Sequence, residues 1–238
     1  MKQNPTSYKP TDKLCDIVCS DDAMLQVLNR FEIPLGFGEA TVQQVCDKHN
    51  VDCATFLCIV NVIHQGTSYI KDETNISITS VIDYLRHSHH YFLNFRLPRI
   101  RKKLVKAMEM DANGKIQTLI LCSFDEYALE MRHHMDDEDH KLFQYMTELL
   151  QGKCRDNYNA MVFAEGHHPL NDSHVEARLS ELKNIIIKYY PAEQNNLLLN
   201  SALEDIFSCN KELTNHCMIE DVILIPAILK LEKQILNR

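Results

Sequence analysis

Apolar residues recur at steps of three and four along most of this chain. Leu93, Leu97, Ile100 and Leu104 form one such stripe. Ile120, Phe124, Tyr127 and Met131 form a second, which resumes at Leu142, Tyr145 and Leu149. Val175, Leu179, Leu182 and Ile186 form a third. That period places one face of each segment against a core and predicts helices. From Ile78 onward four long helical patterns follow, separated by breaks at 111–114, 152–157 and 191–196. The first 75 residues read as shorter helices, over 11–19, 21–31, 41–49 and 53–63, with Asp and Thr residues placed to cap their first turns. A polar, aperiodic stretch over 66–77 marks a boundary. The expected fold is all-α: a small helical domain over 1–75, then an up-down-up-down four-helix bundle over 76–238.

Composition narrows the function. The chain has 238 residues, 45% of them hydrophobic, with 25 basic and 33 acidic side chains and a formal charge of −8. Such a chain can bury a core, and its acidic balance argues against nucleic acid as partner, because phosphate contacts require a clustered basic surface. The one basic run, Arg96 to Lys103, reads as a helix flank. No segment approaches the ~20 apolar residues needed to span a bilayer, and the first residues lack the apolar stretch of a secretory signal. Nine cysteines at irregular spacing do not resemble a disulfide framework. Reduced thiols and a cytoplasmic protein are the expectation. No phosphate-binding glycine motif occurs.

Chemistry enters where the stripes turn polar. After Met131 the buried face of the second helix continues through His134 and Glu138 before reaching Leu142. The same spacing returns in the fourth helix as His216 and Glu220, followed by Ile223 and Leu224. A separation of four puts both side chains on one face, one turn apart, where both can reach a single metal ion. In the first helix His90 falls on the stripe of Leu93 and Leu97 at offsets of three and seven, and His87 and His89 fall off it.

Residues equidistant from a connecting turn lie at the same height in an up-and-down pair. His90 and His134 share a midpoint at residue 112, inside the first break. His174 has midpoints of 156 with Glu138 and 195 with His216, also in breaks. His168 gives 153 and 192. His174 sits about 100° off its own stripe. His168 projects onto that stripe but adjoins Pro169, after which Ser173 and Glu176 form a capping box that restarts the helix. The third-helix ligand is therefore His168, His174 or both. His49, His64, His133, His140 and His167 read as solvated or capping residues.

Imidazoles and carboxylates without a thiolate suit iron, manganese or zinc. Two His-x-x-x-Glu elements with single histidines from the other two helices form a nearly symmetric set, in which glutamates can bridge a metal pair.

The segments His90–Pro98, His134-Met-Asp-Asp-Glu138 before Leu142-Phe143, and His216-Cys-Met-Ile-Glu220 before Ile225-Pro226 resemble the hemerythrin-like domain of the repair-of-iron-centres family, ScdA/YtfE type. The stretch Arg30 to Asp52 is similar to that family's small N-terminal domain. The resemblance covers nearly the whole chain, in the family's domain order. It implies two non-haem iron ions with oxo or carboxylate bridges, with His90, His134, His216 and a third-helix histidine as terminal ligands and Glu138 and Glu220 bridging. It also implies repair of, or iron supply to, iron–sulfur clusters damaged by nitric oxide or oxidants, with iron–sulfur proteins as clients. Two departures stand out. Pro34-Leu35 occupies the place of the family's adjacent cysteines, and the third-helix motif reads Glu165-Gly-His-His-Pro-Leu-Asn-Asp-Ser-His174. The alternative function is a sensor or carrier that binds O2 or NO reversibly at the iron pair. A homodimer is compatible with either.

Overall fold

A computed structural model describes residues 6–69, 76–108, 114–153, 169–190 and 196–236, with the backbone alone at 169–177 and 236. Among these the chain is mostly helical, with no strand beyond one isolated bridge between Lys13 and Thr41. The all-α expectation holds. No helix among the described residues is long and apolar enough to cross a membrane.

The short helices are α1 (Leu14–Ser20), α2 (Met24–Arg30), α3 (Val42–His49) and α4 (Cys53–Gln65). The expected caps form at α3 and α4 but not at α1 or α2, whose N-cap residues, Lys13 and Ala23, make no side-chain cap bond. Thr41 and Gln44 make a reciprocal capping box at the start of α3, and Asp52 accepts the Thr55 N–H at 2.8 Å to start α4. Asn50 closes α3 in the left-handed conformation, φ 56°, which asparagine tolerates better than most residues. The longer helices are α5 (Ile78–Tyr91), α6 (Leu97–Met108), α7 (Gly114–Asp137), α8 (Phe143–Leu150), α9 (Pro169–Tyr189), α10 (Leu197–Ile219) and α11 (Ile225–Leu236). The third long helix begins at Pro169 rather than restarting at Ser173. Proline lacks only an N–H that the first turn leaves without a helical acceptor anyway, so it starts a helix instead of breaking one.

One feature lay outside the 3.6-residue pattern. Three π-helical turns, Phe92–Arg96, Glu138–Leu142 and Glu220–Leu224, join α5 to α6, α7 to α8 and α10 to α11. Each gives a helix one residue more per turn than the α-form, and such turns are frequent at functional sites.

By its contacts the chain divides into two compact units. One comprises 1–88, 149–152 and 214–238; the other comprises 89–148 and 153–213. In the first, Leu14, Ile17, Val27, Leu28, Val42, Val45, Phe56 and Ile59 are buried, and the half-buried Phe31 ring lies 5.3 Å from Phe56 and 5.1 Å from Tyr84. Asn61, fully buried, accepts the Tyr8 N–H at 2.7 Å and donates to the Tyr8 and Leu57 carbonyls, pinning the N-terminal segment. In the second unit, α6, α7, α9 and α10 share one core that includes Ile100, Leu104, Phe124, Tyr127, Leu182 and Ile206. The Asn196 side chain links two helix ends there. Its Oδ1 accepts the Leu199 N–H and its Nδ2 donates to the Ala107 carbonyl, both at 3.0 Å. The basic run is matched by acids. Arg96 reaches Glu212 at 3.0 Å, Lys103 reaches Asp205 at 2.5 Å, and Arg101 makes a two-pronged contact with Asp125.

Candidate metal centre

His89 follows the buried Leu85 by four residues and precedes the buried Phe92 by three, so it belongs to the buried face of α5. Glu138 and Glu220 are each the first residue of a π-turn, and His134 and His216 stand one turn before them. These placements bring His89, Glu138, His216 and Glu220 into one group. Each offers a ligand atom, all within 4.8 Å of one another, and all four are buried.

The contacts within the group are short. His89 Nε2 lies 3.2 Å from Glu138 Oε2, and His216 Nε2 lies 3.1 Å from Glu220 Oε1. His134, partly exposed, places its Nε2 3.2 Å from Glu138 Oε1. The two oxygens of Glu138 thus face two different imidazoles. Two donors held ~2.1 Å from one ion at a right angle stand ~3.0 Å apart, so these separations fit neighbouring ligands of a metal; Glu138 Oε2 and Glu220 Oε1 make no hydrogen bond to the imidazoles they approach. The His89 ring is fixed further. Its Nδ1 lies 3.2 Å from Asp139 Oδ1, and Phe143 stacks on it with centroids 5.5 Å apart and 14° between planes.

Two carboxylates in so dry a setting require compensation by positive charge or donors, because a buried charge without it costs far more than a surface one. Imidazole and carboxylate together, with no thiolate in the group, are a donor set for iron, manganese or zinc. The buried group could hold a metal ion.

Of the residues expected from sequence, Glu138, His216 and Glu220 are brought together, with His134 beside Glu138. His90 is corrected. It is exposed, and His89 takes the inward position. The cause is the π-turn at Phe92–Arg96. Seven residues back from Leu97 is His90 in a continuous α-helix, but the wide turn absorbs one extra residue and the same face is reached eight back, at His89. The signal was present upstream, since Val81, Ile82 and Leu85 point to His89 at α-helical spacing. Asp139 was also missed, because consecutive residues are about 100° apart on an α-helix and only one of them is expected on the buried face. His168 and the side chain of His174 lie outside the described residues, as do those of Ser173 and Glu176.

What the fold and site define is a helical protein with a buried His/Glu group suited to a metal ion. Compared with known proteins, the chain matches no family model and no curated protein.

Proposed function

We propose that this chain is a non-haem di-iron protein built on an up-down-up-down four-helix bundle, and that it repairs, or supplies iron to, iron–sulfur clusters damaged by nitric oxide or oxidants. The observation that carries the two-metal reading is Glu138. One oxygen faces His89 and the other His134, each at 3.2 Å, which is the arrangement a carboxylate needs to span two ions with an imidazole on each. His216 and Glu220 would supply the matching pair of ligands. Iron is favoured among the metals that suit this set by the sequence resemblance to the repair-of-iron-centres family. The same resemblance supports cluster repair and iron–sulfur proteins as clients.

The chain's own residues supply the means. A glutamate can hold two ions or one, and the change loosens the protein's grip on the other. Glu138 and Glu220 sit at the first residue of a wide turn, and in this reading their change of mode would make one iron available for transfer.

The test combines metal analysis with reconstitution. Purified full-length protein loaded with ferrous iron is expected to hold about two irons per chain. Incubated with a nitrosylated cluster enzyme, it should restore more activity than the same amount of free iron. Recovery equal to that with free iron removes the repair function. Reversible uptake of O2 or NO with full retention of iron would assign the site to sensing or carriage instead.

A further inference from the structure

We infer that Asp139 is a positioning residue for the metal centre, acting through His89; the inference rests on the metal-binding reading above. His89 presents its two ring nitrogens to two consecutive residues of one chain segment. Nε2 lies 3.2 Å from Glu138 Oε2 and Nδ1 lies 3.2 Å from Asp139 Oδ1. Neighbouring residues on an α-helix point about 100° apart and rarely serve one partner. Here they do so at the opening of a π-turn, over Glu138–Leu142.

The chemistry of imidazole gives the contact its meaning. A neutral ring carries one N–H, and the hydrogen bond made by one nitrogen decides which form is present. With Nε2 given to a metal, the one ring proton would sit on Nδ1, where the Asp139 carboxylate at 3.2 Å is near enough for a small rotation to close a hydrogen bond and hold it. A histidine ligand held by an outer carboxylate is also more basic and fixed in rotation. Phe143, stacked on the ring, removes the remaining freedom. Asp139 is not itself a member of the four-residue group, and its side chain is 30% exposed against 4% for Glu138. It stands behind the ligand at the border with water.

The experiment measures cobalt(II) affinity of the full-length chain by chelator competition in wild type and in Asp139→Ala, Asp139→Asn and Asp139→Glu. Circular dichroism and the metal-free melting temperature are recorded alongside. The alanine variant is expected to bind ~10–100-fold more weakly, the asparagine variant to fall between, and the glutamate variant to recover part of the loss, with metal-free melting unchanged across the set. A structural role alone would not produce the second readout. In the cobalt-loaded protein, a hyperfine-shifted exchangeable ring N–H, absent in His89→Ala, should exchange with water faster in Asp139→Ala and Asp139→Asn. Wild type that binds cobalt, with affinity and exchange unaltered in both variants, overturns the role of Asp139 alone. Wild type that binds neither cobalt nor iron overturns the metal reading and this inference with it.

Discussion

His89 and His90 adjoin in sequence and meet opposite surroundings: one is 1% exposed within a group of ligand-type side chains, the other faces water. Two imidazoles of the same chemistry thus have different prospects, set only by which way the helix turns them. Replacement of His89 by alanine should lower bound metal well below the wild-type stoichiometry, as should Glu138→Ala and His216→Ala. His90→Ala and His133→Ala, both at exposed positions, should stay near wild type. Metal analysis of the five purified variants decides it, and equal loss in the exposed and buried sets would reject the assignment. At this scale the His-x-x-x-Glu spacing was enough to find Glu138, His216 and Glu220, because four residues is close to one α-turn and each pair lies before or at the start of its π-turn. It was not enough for His89, which lies on the far side of a π-turn from the stripe used to place it.

Helix positions were readable because their signals are local. Thr41 and Asp52 cap the turns they were expected to cap, and the apolar stripes mark the faces that are buried. The π-turns have no such signature. In the first, Arg96 is the closing residue. Its guanidinium lies 3.0 Å from Glu212 and 3.6 Å from Asp205 within the second unit, so the wide turn is tied to acids far away in sequence. Deleting the exposed Asn94 tests the register argument directly. With one residue fewer, Phe92–Arg96 can close as ordinary α-helix, and His89 then stands seven residues before Leu97, on the same face. The expected result is near wild-type helicity by circular dichroism and retained metal. Loss of metal from a variant of normal helicity would show that the wide turn does more than conserve register.

For the molecule as a whole, the buried thiol of Cys209 links packing to stability. It sits in the core shared by α6, α7, α9 and α10, and burial, followed by the nearby Glu212 charge, pushes it up from 9.0 to about 12. Between those values the unfolded chain has released a proton that the folded chain keeps. Stability therefore falls as pH rises across that window, and below pH 9 this thiol imposes no such slope. Cys209→Ala should make the alkaline decline shallower. Urea unfolding at pH 8, 9 and 10 reads the slopes, and identical slopes in variant and wild type would remove Cys209 as a contributor.

The amino-acid sequence by itself determined that the chain is helical, where most helices begin and end, and that two His-x-x-x-Glu pairs lie on faces turned away from water. Those properties depend on periodicity and capping, which act over one or two turns. The sequence left His89 and His90 in competition, with Val81, Ile82 and Leu85 pointing to one and Leu93 and Leu97 to the other; only the tertiary structure decided that His89 turns inward, and that Asp139 meets the far nitrogen of that ring. Both follow from wide turns whose extra residue is accommodated by partners distant in the chain, and no window of a few residues contains those partners.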